Sequence, residues 1–557
     1  MKTLLHIRYL LYCKQLMGPG FLKVFCFSLF LSFFFFKGNA QELLPATSLK
    51  YQVAHQVFDR LTYAYADTRP QPRLEVVARS LKKVKVIAQY RPGSQPVVQL
   101  DEEVYDLCRK LQQDSLNALA VLLSHELAHH YKNHDWYFTF GIGQANNKIS
   151  KESIQQFESA ADFYGCFYGE LSGYATARVF PRVLDLIYQH FHLANRLEGY
   201  PTKEERKATY AEKQKEAVKM VSVFKSGLFL YLIQEFESAA MCFDYLANQF
   251  PSREIINNLA ATKLQLALQI YHKQEQPGFV YPVELDAHSR LAAARRDMSD
   301  DYPNIQLEKL LAEARRHAEK SREIDPGYVP AYINLACIYS LQGNQPAAIG
   351  IINELKPATI TGNAYSIRAI AYYKDNQLSK AQKDFELARQ KGAYKGQYNL
   401  ELFDKMNESL AGSLTTWIMS WFQEEASLHT TRSSIKEKVG GRSINAALPA
   451  QMPRVAVSKT PNLVIQWQEQ NDYLQLGIQN ATRNYLVHLT QENYTQPTAR
   501  KVKRGATLET LKSKYGEPSY TFSGATGEYL VYPENKIAFV LDKNKLVNSW
   551  LVYGRTL

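Results

Sequence analysis

A 33-residue repeat in the middle of this 557-residue chain constrains its fold more than any other feature. The stretch YVPAYINLACIYSLQGNQPAAIGIINEL places Ala336, Tyr339 and Ala348 where AYSIRAIAYYKDNQLSKAQKDFELA places Ala369, Tyr372 and Ala381, with Phe385 and Ala388 following. Small residues at helical spacing let two helices approach, and aromatic residues fill the gaps between one pair and the next. An earlier stretch, KSGLFLYLIQEFESAAMCFDYLANQFP, carries Gly227, Ala239, Phe243 and Pro251 in the same order. AEKSREIDP supplies Ala314, Ala318 and Pro326. Its first helix is expected at Arg253 to Tyr271, across an insertion at about 273–304 rich in charge and helix breakers. One such unit cannot bury its apolar face alone, so the units must stack, and about four helix pairs are expected in a solenoid over residues 213–411. Stacks of this kind present a concave surface to peptides or partner proteins.

A second stretch points to chemistry. SHELAHHYKNH, Ser124 to His134, holds four histidines and one glutamate. The preceding DSLNALAVLL begins a helix with Asp114 or Ser115 as N-cap, and Leu116, Leu119, Ala120, Leu123 and Leu127 follow its apolar spacing. His125 and His129 then lie one turn apart on one face, with Glu126 beside them. Two imidazoles so spaced can share a zinc ion, which takes nitrogen and oxygen ligands and keeps one position for water in catalytic sites. The metal lowers the pKa of that water and a neighbouring carboxylate takes its proton, the arrangement of metal-assisted hydrolysis. A chain with thirteen histidines meets H-E-x-x-H by chance in roughly one case in a hundred, so a third ligand is required. FESAADFYG, Phe157 to Gly165, offers Glu158, 29 residues beyond His129. Asp162, one turn further, can hold an imidazole N–H and set its tautomer. The alternative for Glu158 and Asp162 is a solvated helix edge.

Together, H-E-L-A-H-H-Y-K-N-H and E-S-A-A-D resemble the zinc metallopeptidases of the CAAX prenyl protease and HtpX type, over roughly residues 50–210. The helix start in SGYATARVFPRVLDLI is similar to that family's. A peptidase unit followed by tetratricopeptide repeats looks like the layout of the BepA-like periplasmic proteases. The resemblance implies a gluzincin-type domain with one zinc ion per chain, held by His125, His129 and Glu158. It implies Glu126 as general base and then acid, and Asp162 as the partner of His125. His134 matches a family histidine and is expected to be structural. One position departs from the pattern. Where the family carries His-Pro followed by Arg, GYPTKEER has Tyr200 before Pro201, with Arg206 kept. Tyr200 either donates a hydrogen bond to the oxyanion of a tetrahedral intermediate or packs in a loop. Arg206 either orients that loop or contacts the oxyanion. Both are candidate catalytic residues.

Upstream, RLEVVARS, KVKVIAQY and QPVVQLD alternate as strands, with RPGS as the turn between the last two, and a small antiparallel sheet is expected. Related zinc peptidases pair extended substrates with such an edge strand, which implies unfolded or extended protein chains as substrates. Tyr137 to Ser153, YFTFGIGQANNKISKES, is expected as a loop between the ligand helices, with a mobile flap as the alternative.

The first forty residues contain no acid and five basic residues: Lys2, Arg8, Lys14, Lys23 and Lys37. The apolar run Val24 to Phe36 is too short to span a bilayer and is followed by Gly38-Asn39-Ala40. A secretory signal peptide cleaved after Ala40 is expected, starting at Met1 or Met17. The protein is then exported to the periplasm or the extracellular space, with no transmembrane segment left, either free or peripheral to a membrane. Removing those five charges from the net +12 leaves +7, which does not suggest nucleic acid. Cys242 and Cys337 fall at repeat positions and are expected as buried singletons, while Cys108 and Cys166 can form a disulfide.

Residues 412–446 are expected to be a helical end and a linker. In the module at 447–557, NLVIQWQEQ, DYLQLGIQ and NYLVHLTQE alternate as strands. The end, with Gly505, Gly516 and Pro518, suggests a helix, a Gly-x-Pro turn and three strands, and about 500–557 resembles the BamE or SmpA type of fold. The expected fold class is α+β and mainly α: a peptidase domain at 41–212, the solenoid and a small C-terminal α+β domain. The expected function is zinc endopeptidase action on extended or misfolded envelope proteins, with the repeats recruiting substrates or envelope assembly proteins. The other class is a chaperone or assembly scaffold whose zinc site is silent. Glu126 favours the enzyme, because in this scheme it binds no metal.

Overall fold

The computed structural model describes residues 42–65, 71–78, 87–132, 138–139, 151–195, 202–249, 251–274, 278–286, 306–407, 436–444 and most of 452–556. The expected signal peptide, His134, Tyr200 and Pro201 lie outside these, as do most of the stretch after Tyr137 and most of the expected linker.

The N-terminal unit is built around one buried helix. It comprises α1 (Leu49–Tyr65), β1 (Arg73–Val77), β2 (Ala88–Arg91), β3 (Val97–Asp101), α2 (Glu102–Arg109), α3 (Ser115–Tyr131), β4 (Phe138–Thr139), α4 (Lys151–Leu171) and α5 (Thr176–His190). In α3 every residue from Asn117 to Tyr131 is buried, so it runs through the core rather than along the surface. Asp114 stands at its N-cap but makes no side-chain cap. Its carboxylate instead pairs with Arg178 and Arg182 of α5, at 2.6 Å each, and so ties the two helices together.

The sheet order is β1-β3-β2-β4. β2 and β3 form the expected antiparallel hairpin. β1, however, pairs with β3 in parallel, from Arg73 against Val97 to Val77 against Asp101, so the sheet is mixed and not antiparallel. Alternation carries no sign of strand direction, because the side-chain period is two in either case. β3 is buried along its whole length, as a central strand must be when both faces are covered.

α6 (Lys203–Leu232) opens with a capping box between Thr202 and Glu205 and continues for 30 residues into the repeats. It crosses residue 212 without a break, so the N-terminal unit passes into the solenoid through one continuous helix. Its Gly227 meets α7 (Phe236–Gln249) closely, since a Cβ there would lie 3.0 Å from Cys242 and 3.1 Å from the Phe243 ring. The stack continues with α8 (Arg253–Gln274), α9 (Gln306–Ile324), α10 (Val329–Leu341), α11 (Gln345–Asn353), α12 (Gly362–Lys374), α13 (Leu378–Gln390) and α14 (Gly396–Asn407). Ala314, Ala318, Ala336, Ala348, Ala369, Ala381, Phe385 and Ala388 are fully buried between them.

The insertion expected at 273–304 is not simply a polar excursion. Residues 278–286 run as an extended segment with Phe279, Tyr281, Val283 and Leu285 buried. Its acids, Glu284 and Asp286, are buried as well, although acids in a sequence read as surface.

The C-terminal part contains β5 (Lys438–Val439) and β6 (Arg442–Ser443), then β7 (Arg454–Lys459), β8 (Asn462–Glu469), β9 (Tyr473–Asn480) and β10 (Asn484–Thr490). α15 (Leu508–Tyr515) follows, with β11 (Tyr520–Gly524), β12 (Gly527–Tyr532), β13 (Ile537–Leu541) and β14 (Val547–Thr556). Four strands thus follow the helix, one more than the three expected. They join the earlier four in one eight-stranded sheet, order β11-β12-β13-β14-β10-β9-β8-β7, through antiparallel pairing of β14 with β10. One face, with Leu463, Ile465, Leu476 and Tyr553, shares a core with the N-terminal unit, α6 and α7. The other, with Leu486, Phe539 and Trp550, packs with Leu511 and Tyr515 of α15. Cys108, Cys166, Cys242 and Cys337 are all buried and free, so Cys108 and Cys166 form no disulfide. Among the described residues no helix is long and apolar enough to cross a membrane.

Candidate metal centre

The site lies where α4 crosses α3. Gly165 permits that crossing: a Cβ there would lie 3.0 Å from the backbone nitrogen of His125 and 3.1 Å from its Cα. With the backbones this close, Glu158, two turns before Gly165, reaches the histidine face of α3. One nitrogen each from His125 and His129 and one carboxylate oxygen of Glu158 all lie within 4.8 Å of one another. Glu158 stands 3.5 Å from both imidazoles. The three residues and Glu126 are each 3% exposed or less.

The surrounding groups set the state of this cluster. His125 Nδ1 lies 2.8 Å from Asp162 Oδ1, so Nδ1–H donates to the carboxylate, while Nε2 faces Glu158 Oε2 at 3.5 Å. His129 Nε2 lies 3.1 Å from His125 Nε2. Arg206, in the first turn of α6, grips Asp162 through two hydrogen bonds, at 3.0 and 2.9 Å, and stands 3.5 Å from Glu158. Burial alone would raise the Asp162 carboxyl, but Arg206 and His125 hold it below the usual carboxylate range. Burial would lower His125, yet Asp162 and Glu158 overcome this and raise it to about 10. Burial raises the Glu126 carboxyl to about 8, opposed by His125.

The donor set fits zinc. Two imidazole nitrogens and a carboxylate are among its preferred ligands, three protein ligands suffice in a catalytic site, and the carboxylate at His125 Nδ1 is the usual support of a metal-binding histidine. Glu158 Oε2 is buried and accepts no hydrogen bond among the described residues, an acceptor that a cation would satisfy.

Glu126 is placed separately from the three. Its Oε2 accepts a hydrogen bond from the backbone N–H of Tyr90 in β2 at 2.8 Å, while Oε1 accepts none among the described residues. The hydroxyl of Tyr90 lies 3.2 Å from His130 Nδ1. Sequence reasoning misses Tyr90, because a backbone donor leaves no mark on residue type. It misses Gly165 for a different reason, since a glycine inside a helical pattern reads as a weak helix position until its neighbour is known. β2 is flanked on its far side by β4, with Gln89 opposite Thr139 and Tyr90 opposite Phe138. The strand beside Glu126 is therefore an inner strand at Gln89 and Tyr90, and the edges of this sheet are β1 and β4. Arg206 is buried against Asp162, a contact that is neither of its two expected roles, since the Tyr200 loop lies outside the described residues.

No protein-family model matches this chain, and no curated protein matches it. Among solved structures it is similar to a thermophilic tetratricopeptide-repeat protein of Thermus thermophilus, at 15% identity over 30% of this chain and 89% of that one, with a TM-score of 0.19. It is similar also to a tetratricopeptide repeat protein from Parabacteroides merdae, at 14% identity over 45% of this chain and 94% of that one, with a TM-score of 0.20. Likenesses at TM-scores this low decide nothing about the site.

Proposed function

We propose that this protein is a zinc-dependent endopeptidase acting on extended or misfolded protein chains outside the cytoplasm, with its helical repeats recruiting substrates or envelope assembly partners. The observation that carries this reading is the position of Glu126. Its carboxylate is fully buried beside His125, His129 and Glu158 and stands outside that ligand set. One of its oxygens accepts no hydrogen bond among the described residues. Burying such a group is costly, and a binding scaffold has no use for it there.

Zinc held by the three ligands would supply Lewis acidity, polarising a peptide carbonyl and lowering the pKa of water toward about 7. The chain's own residues divide the remaining work. Tyr90 N–H anchors Glu126 Oε2, which leaves Oε1 to take a proton from the attacking water and return it to the departing amine. Asp162 holds the tautomer of His125, and Arg206 holds Asp162. The test compares wild type with Glu126→Gln for zinc content and for cleavage of an unfolded protein. Zinc should be retained and cleavage reduced by about a hundredfold to ten-thousandfold. Equal turnover by the two forms would remove the hydrolytic reading.

A second reading, a partner-binding scaffold with a silent site, is favoured by the pairing of β4 over β2, which covers the strand beside Glu126. Partner binding that is identical in wild type and Glu126→Gln, with no cleavage by either, would select it.

A further inference from the structure

The extended segment 278–286 lies along the first helices of successive repeats, and asparagine side chains hold its backbone. Asn399 of α14 accepts from Val280 N–H at 2.8 Å and donates to Val280 C=O at 2.9 Å. Asn334 of α10 does the same for Glu284, at 2.9 Å in each direction, and Asn257 of α8 adds a second donor to that carbonyl at 3.0 Å. Asn258 of α8 accepts from and donates to Asp286, at 2.7 Å each. The rungs fall at residues 280, 284 and 286, and between the first two the chain makes a tight turn at Pro282, where Val283 N–H donates to Tyr281 C=O at 3.0 Å. Pro282 itself has no N–H to offer.

These contacts belong to peptide recognition rather than to folding by secondary structure. Asn258, Asn334 and Asn399 each pair with both the N–H and the C=O of one residue, so these contacts read the backbone whatever its side chains. Selectivity comes from the flanking groups. Phe279 stacks on Phe385 with ring centroids 5.2 Å apart, and Asn363 of α12 donates to the Glu284 carboxylate at 2.8 Å. Tyr328 donates its hydroxyl to Asp286 Oδ2 at 2.7 Å. Buried asparagines in helix interiors weaken the helix and cost free energy unless partnered, so this groove requires an extended chain within it.

We infer that the groove formed by α8, α10, α12 and α14 is a binding site for extended peptides carrying an aromatic residue followed by a Glu-x-Asp pair, and that residues 278–286 occupy it as a displaceable internal stand-in. The inference concerns binding alone and does not rest on hydrolysis at His125. Being tethered, the internal segment competes at the millimolar effective concentration typical of a short linker.

The test uses the full chain and a fluorescent peptide, GFVYPVELD, the sequence of residues 278–286. Phe279→Ser with Tyr281→Ser weakens the internal segment, and this variant should bind the peptide at least tenfold more tightly than wild type. Adding Asn334→Ala and Asn399→Ala should reverse that gain by at least tenfold. No gain in a folded variant, or a gain that survives loss of both asparagines, overturns the inference. If the double-serine variant does not fold, hydrogen exchange on wild type decides. Val280, Glu284 and Asp286 amides should exchange by local opening while α8 and α10 stay protected. Exchange of the segment only together with those helices would make it an integral part of the core and end the proposal.

Discussion

Arg206 donates two hydrogen bonds to Asp162, from Nε to Oδ2 at 3.0 Å and from Nη2 to Oδ1 at 2.9 Å, across 44 residues of sequence. The same carboxylate receives His125 Nδ1 at 2.8 Å. The guanidinium fork thus fixes Asp162, and Asp162 fixes the imidazole. Since Arg206 opens α6 and Gly227 of the same helix contacts α7, the first repeat pair and the candidate metal centre share one element.

Arg206→Lys should therefore weaken zinc binding. A lysine is a point charge that cannot grip both oxygens of Asp162. Loss of a group supporting a metal-binding histidine costs about tenfold to a hundredfold in affinity. Competition with a chromogenic chelator measures this, and unchanged affinity would reduce the pair to a link between helices.

His129→Ala should abolish stoichiometric zinc, because two protein ligands do not complete a zinc site. Elemental analysis of the purified protein should fall from about one ion per chain to a small fraction of that. Full retention would mean that the metal, if bound, sits elsewhere.

Gly165→Ala should destabilise the N-terminal unit. The new methyl would meet the backbone of Ser124 and His125 at 3.0–3.1 Å, and backbone cannot rotate away as a flexible side chain can. Overpacking of this kind costs about 1–3 kcal/mol. The thermal midpoint should fall, and zinc affinity with it, since α4 must move outward and carry Glu158. A variant as stable as wild type would show that α3 and α4 lie further apart than described.

Glu284 should make stability depend on pH around neutrality. Burial raises its carboxyl from 4.5 to about 7, opposed by Asn363 and assisted by Asp286. Between these values the folded protein binds more protons at this site than the unfolded chain, so stability is greatest below about pH 4.5 and falls as pH rises to about 7. The contribution is of the order of 3 kcal/mol at most. Glu284→Gln, which keeps an acceptor for Asn363, should flatten that part of the profile in denaturant melts. Parallel profiles for the two proteins would place the dependence on other groups.

Much of this protein is legible in its sequence because it is local. The helical spacing of His125 and His129 is a property of eleven residues, and the small residues of each repeat meet a partner a few dozen positions away. Period and spacing survive in a one-dimensional text. What tertiary structure decided is of another kind. β1 runs parallel to β3 although its alternation is compatible with either direction. Arg206 supports Asp162, a partnership absent from its expected roles, because it depends on where α6 begins relative to α4. Eight strands form one sheet because β14 returns to β10, a pairing that neither strand encodes alone. Residues 278–286 have the charge and breakers of an insertion, yet they are buried because Asn257, Asn258, Asn334, Asn363 and Asn399 meet them from four different helices. A buried acid looks like a surface acid until its hydrogen-bond partners are known, and those partners exist only once the helices have stacked.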